Sequence, residues 1–255
     1  MKRLILIPCM LICALLVQAQ GIVFNEGTWN DVLKLAKEKN CPVFIDVYTS
    51  WCGPCKKMAK EIFTQKEAGD YFNEHFVNYK VDAEKGEGVK IASLFNVSAY
   101  PTCLFVTGEG KLVSSFMGAQ TVRSLLREGA KAVKNYSLLP QIEKMDAEYK
   151  SGKKDVAFLK EYCQARSEFG EKGGQPLNDL LNQLPDNELT LKENLTWIQN
   201  LTVYDLPLIN RLVTILSGMD KKTGMQLNKA IMKAMSTFIA QSTEGNKKAE
   251  FEQLM

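Results

Sequence analysis

The spacing of apolar positions changes about half-way along the chain. Up to about residue 134, short apolar runs alternate with amphipathic stretches. Ile22-Val23-Phe24 predicts a short strand. Thr28 with Asp31 three residues on reads as a capping box, and Trp29, Val32, Leu33 and Ala36 form the apolar stripe of a helix to about Lys39. After Pro42, the run Val43-Phe44-Ile45-Asp46-Val47-Tyr48 is apolar on both faces except for Asp46, the pattern of a strand buried inside a sheet. Trp51 to Phe63 predicts a helix start and its body, and Thr64 with Glu67 predicts a second capping box for a helix to about His75. Val77–Val81 and Thr102–Val106 read as strands on either side of a short helix, Val89–Phe95. Gly108-Glu109-Gly110 turns the chain into Lys111–Met117, and a helix over Gln120–Lys134 closes the region. The order β-α-β-α-β-α-β-β-α predicts an α/β domain, and the hairpin of its last two strands makes the sheet mixed.

From Ser137 onward the strand signals stop. Helices are predicted at 138–150, 154–168, 176–183, 190–202, 206–217 and 223–242. Breakers separate them: Ser151-Gly152, Gly173-Gly174, Pro185-Asp186, Asp205 with Pro207, and Ser217-Gly218. No fixed period relates these segments, so paired helices rather than a regular solenoid are expected.

Residues 1–19 stand apart. Lys2 and Arg3 precede an apolar run from Leu4 to Val17, and Val17-Gln18-Ala19 offers small residues for cleavage. This is the pattern of a secretory signal peptide, and the run is shorter than the roughly 20 residues that span a bilayer. The expected mature protein starts at about residue 20, is exported (to the periplasm in a Gram-negative bacterium) and retains no membrane span.

Composition narrows the chemistry. Of 255 residues, 45% are hydrophobic and 24% charged, close to globular averages. Net charge is +3, and removing Lys2 and Arg3 from the 32 basic residues leaves one more than the 29 acidic ones. No nucleic-acid footprint comes from that balance. His75 is the single histidine, so a His-based metal site or a Ser-His or Cys-His nucleophile would rest on it alone. Of seven cysteines, Cys9 and Cys13 leave with the leader. Cys41, Cys52, Cys55, Cys103 and Cys163 remain, in a compartment that permits disulfides.

The chemical signal is Trp51-Cys52-Gly53-Pro54-Cys55-Lys56, directly after the buried strand and opening a helix. A helix N-terminus favours a thiolate at Cys52, the attacking species in disulfide exchange. Cys55 lies about one turn on, on the same face, where it can attack a mixed disulfide held by Cys52. Pro54 suits the first turn, Gly53 removes bulk beside the attacking sulfur, and Lys56 and Lys57 add positive charge. A zinc half-site and a static disulfide are the rival readings of the motif; the absence of a second CxxC and the lone His75 count against zinc. Asp46, alone in an apolar strand, is expected to have a raised pKa and to exchange protons near neutrality. Backbone donors satisfying it are the alternative. Cys41, Cys103 and Cys163 read as packed thiols, with a redox-sensitive Cys103 as the sharper alternative.

Residues 22–134 resemble the thioredoxin superfamily. The resemblance implies a thioredoxin-like domain over 20–135, with a helical domain over 136–255 added to it. It implies Cys52–Cys55 as a reversible disulfide, Asp46 as the acid that serves Cys55, and Tyr100-Pro101-Thr102 as a cis-proline segment facing the dithiol. Trp51, Gly53, Pro54, Tyr100, Pro101 and Gly118 are then the residues that meet substrate. Gly110 matches a further family glycine. The family's lysine near the acid is expected at Asn78, with Lys80 two residues on. The stretch Met58–Thr64 looks like exported members. The implied activity is thiol–disulfide exchange on disulfide-containing proteins, without a cofactor. The Gly-Pro insert resembles reducing members, and a reductase in an oxidising space implies a membrane electron donor. Disulfide isomerisation, or a binding module dominated by the helical half, are the alternative functions.

Overall fold

A computed structural model describes residues 20–244. The expected leader, 1–19, lies outside them. The chain divides into two units, the first ending at Tyr136 and the second starting at Ser137. The first is a mixed four-stranded sheet flanked by helices, and the second is helical.

In the first unit, helix α1 (Trp29–Lys39) starts on the expected capping box, with Thr28 accepting from the Asp31 N–H and the Asp31 carboxylate accepting from the Thr28 N–H. Asn40, in the left-handed conformation, ends it. Strand β1 (Val43–Tyr48) leads to α2 (Gly53–Lys57), which widens into a π-helical turn, Met58–Ile62. Helix α3 (Lys66–His75), β2 (Val77–Asp82), α4 (Glu87–Leu94), β3 (Thr102–Val106), β4 (Leu112–Met117) and α5 (Val122–Lys150) come next. Strand order is β2-β1-β3-β4; β1 runs parallel to β2 and antiparallel to β3, and β3 runs antiparallel to β4.

The central strand is buried on both faces. Val43, Ile45 and Val47 join Val32 and Ala36 of α1 and Ile91 and Ala92 of α4 in one core layer. The alternate face is aromatic: Phe44 lies 4.6 Å from Phe72 and 5.4 Å from Phe105, ring centre to ring centre. Asp46 shares that second face with Phe44, because side chains alternate along a strand.

Three local expectations change. Residues 22–24 are extended but form no strand. Their N–H groups go to different elements: Ile22 to the Phe63 carbonyl, Val23 to the Asn73 side chain, and then Asn25 to the Asn78 carbonyl, so no ladder forms. The second capping box is absent. Thr64 Oγ1 donates back to the Lys60 carbonyl at 2.8 Å, and α3 starts two residues later behind Gln65, which makes no side-chain cap. Ser137 is no break, since α5 runs through it and carries Pro140 inside. A serine costs a helix little, and α5 continues even though Pro140 lacks the N–H that would bond residue 136.

In the second unit, α6 (Val156–Phe169), α7 (Gln175–Gln183), α8 (Asp186–Leu189), α9 (Lys192–Ile198), α10 (Leu206–Ser217) and α11 (Lys221–Glu244) surround their own core of Leu159, Leu180, Leu181, Ile198, Leu208 and Leu227, among others. Asp155 and Asp205 cap α6 and α10. Tyr149 donates to Asp179 at 2.7 Å, and Lys154 pairs with the same carboxylate at 2.7 Å.

The N-terminal segment crosses α3 where no side chain fits. A Cβ at Gly69 would lie 1.9 Å from the Gln20 carbonyl oxygen and 2.6 Å from the Gly21 carbonyl carbon. Gly69→Ala gains about 1 kcal/mol of helix propensity and forces backbone apart at a cost of about 1–3 kcal/mol. Urea unfolding should therefore show no net stabilisation but a loss of up to about 2 kcal/mol, against the propensity scale, together with faster amide exchange at Ile22 and Val23.

Candidate active site

The loop after β1 turns the chain into α2. The Cys52 N–H donates to the Thr49 carbonyl at 3.2 Å, and the Cys52 carbonyl accepts from Lys56 N–H at 3.2 Å. Cys52 is thus the N-cap, and its sulfur also accepts from the Cys55 N–H at 3.1 Å. With Pro54 in the first turn, the two cysteines lie one turn apart, Cα atoms separated by 5.3 Å, and are joined as a disulfide. Both cysteines are almost fully covered, but nothing lies within 4 Å of where a Gly53 Cβ would stand, so one approach is bare. Lys56 and Lys57 are exposed in the last turn.

Sheet register carries the second wall to the same end. Val47 of β1 is paired with Thr102 of β3, and Thr102 with Met117 of β4. The residues just beyond these pairs are therefore neighbours: Tyr48 leading to the dithiol, Pro101, and Gly118. The Tyr100–Pro101 peptide is cis, as expected. Gly118, at φ +88°, donates its N–H to the Pro101 carbonyl at 2.8 Å, and the space where its side chain would be is open. Trp51 is 65% exposed and Met117 58%. The Trp51 ring meets Tyr100 edge-on at 6.1 Å and donates its indole N–H to Glu84 Oε1 at 3.0 Å. Trp51, Gly53, Tyr100, Pro101 and Gly118 thus surround the disulfide end of the sheet.

Asp46 is 3% exposed, and its Oδ1 has no hydrogen-bond partner among the described residues. Burial raises its pKa to about 7, with the Lys80 ammonium pulling the other way. The β1–β2 register puts Lys80 directly beside Asp46. The lysine position expected at Asn78 is therefore corrected: Asn78 is buried and spends its amide on the Val23 and Phe72 carbonyls and the Asn73 side chain. Lys80 also lies over the Tyr48 ring at 5.3 Å. On the other side of Asp46 the register places Cys103. Cys103 is fully buried, and burial, then the Asp46 charge, push its thiol well above the ordinary range. Burial likewise pushes Cys163 up to about 12 and raises Cys41. Thiols held protonated are poor nucleophiles.

Comparison with known proteins agrees with this geometry. Residues 29–132 match the family profile of the thioredoxin-like domain. This unit is a thioredoxin-like domain. Its CXXC pair is that of the thiol–disulfide oxidoreductase family. Over 99 residues it is 31% identical to Thioredoxin-T of Drosophila melanogaster, covering 39% of this chain and 58% of that protein. Over 103 residues it is 32% identical to the thiol:disulfide interchange protein DsbD of Escherichia coli K12, covering 37% of this chain and 18% of that protein. The match thus spans little more than half of the first relative and under a fifth of the second. A solution structure of a candidate disulphide-isomerase from Bacteroides thetaiotaomicron is 43% identical, covers 46% of this chain and 96% of that one, and has a TM-score of 0.42.

Three residues of the thioredoxin-like domain's site carry no sequence signal. Glu84 follows β2 in an exposed turn, yet it holds Trp51. Met58 reads as an ordinary core methionine, yet its Sδ accepts the Gln120 N–H at 3.1 Å. Gln120 is a polar residue ahead of α5, and only the fold brings it to α2.

The raised pKa of Asp46 makes stability depend on pH. The folded state holds this proton more tightly than the unfolded chain, so stability is full below about pH 4 and falls as pH rises towards 7. The rise from 3.8 to about 7 corresponds to about 4 kcal/mol at most. Asp46→Asn removes that dependence. In the oxidised proteins, the stability of the variant relative to wild type should increase by up to about 4 kcal/mol between pH 4 and pH 8, read by urea unfolding at each pH. A constant difference across that range would place the titration elsewhere.

Proposed function

We propose that this protein is an exported thiol–disulfide oxidoreductase that reduces protein disulfides through Cys52 and Cys55. The observation that carries the reading is the Cys52–Cys55 pair at the N-terminus of α2, with Asp46 buried on the neighbouring strand at a pKa of about 7. A helix N-terminus lowers the cost of a Cys52 thiolate. A carboxyl titrating near neutrality accepts and returns protons at working pH.

In the reducing direction, the Cys52 thiolate attacks one sulfur of a substrate disulfide. The first substrate sulfur leaves as thiolate and is protonated, and Cys52 holds the second as a mixed disulfide. Cys55 gives its proton to the Asp46 carboxylate and attacks Cys52 Sγ, expelling the second substrate thiolate. The substrate gains two electrons and two protons, and the enzyme is left with the Cys52–Cys55 disulfide. The bare backbone at Gly118 and the cis-Pro101 segment would receive the substrate strand, with Trp51 and Tyr100 beside it.

The mature enzyme must then be re-reduced by a dithiol donor. The likeness to DsbD supports a membrane-held donor of the thiol:disulfide interchange kind, and the leader pattern over 1–19 supports export. Among the described residues no helix is long and apolar enough to cross a membrane.

Cys55→Ser should trap the first intermediate. Non-reducing electrophoresis from the native compartment should show mixed disulfides that vanish when Cys52 is also replaced; if no adducts form, the exchange reading fails. Direction is tested separately by the reduction potential of the pair. A value at or below about −230 mV supports reduction, whereas one near −120 mV would make the protein an oxidant.

A further inference from the structure

We infer that Met58 is a positioning residue that ties the dithiol helix to the backbone wall receiving the substrate; this rests on the oxidoreductase reading above. The link is a chain of five hydrogen bonds. The Met58 N–H donates to the carbonyls of Cys55 and Pro54, so Met58 is fixed to the turn that carries the second cysteine. Its thioether Sδ accepts the Gln120 N–H at 3.1 Å. Gln120 Nε2 donates to the Gly118 carbonyl at 3.3 Å. The Gly118 N–H donates to the Pro101 carbonyl at 2.8 Å. The circuit therefore runs from Cys55 to the cis-proline through a single sulfur atom.

Two further features mark the sulfur as placed. Met58 is completely buried and its contact with Gln120 is half-buried, so loss of the sulfur leaves the Gln120 N–H without its protein acceptor. Met58 also opens the π-helical turn, in which the Phe63 N–H reaches back five residues to the Met58 carbonyl at 2.9 Å. A π turn inserts one residue into a helix and rotates the facing of the residues beyond it. It begins here at the residue whose side chain makes the cross-link.

The wall at Gly118 offers backbone rather than side chain, so its distance from the dithiol decides how well an extended substrate strand fits. Loosening the sulfur contact should weaken substrate binding more than chemistry at Cys52. Met58→Leu keeps the volume and removes the acceptor.

The test uses the full chain, with a disulfide-bonded peptide as substrate and excess dithiothreitol as electron donor. Met58→Leu should raise KM about three- to tenfold, the range expected for one buried hydrogen bond, with kcat within about twofold. Amide exchange should quicken at Gln120 and Gly118, while the reduction potential of Cys52/Cys55 stays at the wild-type value. Gln120→Ala, which cuts only the side-chain link to Gly118, should shift KM the same way and serves if Met58→Leu does not fold. Wild-type KM and wild-type Gln120 exchange in these variants would overturn the inference, as would parallel losses of kcat and thermal stability with KM unchanged. If wild type itself fails to reduce the peptide, the oxidoreductase reading fails instead.

Discussion

Strand β1 is hydrogen-bonded on both sides and covered on both faces, yet it carries an ionisable group. Its register with β2 sets Lys80 beside Asp46, and its register with β3 sets Cys103 on the opposite side. A carboxylate in that position is desolvated whatever its neighbours do, and one ammonium offsets only part of the cost. The same strand ends where the dithiol begins. Pairing that fixes Asp46 therefore also fixes which residues stand at the sheet end: the Thr49–Cys52 loop, Pro101 and Gly118. A slip of one residue in β1 would turn Asp46 to the α1/α4 face and separate it from Lys80 and Cys103.

That arrangement sorts the thiols by environment. Cys52 caps the N-terminus of α2, its sulfur accepting the Cys55 N–H, next to bare backbone at Gly53. Cys103 and Cys163 sit in apolar surroundings that hold their protons on. The Asp46 carboxyl, buried on β1, is held by desolvation above the ordinary carboxylate range, at about 7.

The helical unit is built by other rules. Its stability comes from apolar stripes gathered into a core that includes Leu159, Leu180 and Leu208, with caps at Asp155 and Asp205. Among its polar groups, Tyr149 and Lys154 both meet the Asp179 carboxylate.

Much of the first unit was readable from residue order, because its signals are local. The continuous apolar run of β1, the Thr28–Asp31 box, the Cys52–Cys55 spacing at a helix start and the isolated carboxylate at Asp46 each depend on neighbours within a few positions. Where reading failed, distant partners had taken over local groups. Residues 22–24 have strand composition, but the Ile22 N–H was claimed by the Phe63 carbonyl and the Val23 N–H by the Asn73 side chain. Thr64 has capping chemistry, but its hydroxyl was drawn back to Lys60 by the π turn. By itself the sequence determined that a dithiol would open a helix after a buried, acid-bearing strand, since helix and strand periodicity are properties of the chain. Only tertiary structure decided that Lys80 rather than Asn78 faces the acid, that Glu84 holds Trp51, and that the Met58 sulfur meets Gln120. Sheet register and the close approach of segments far apart in sequence set those pairs, and neither is encoded in any short window of residues.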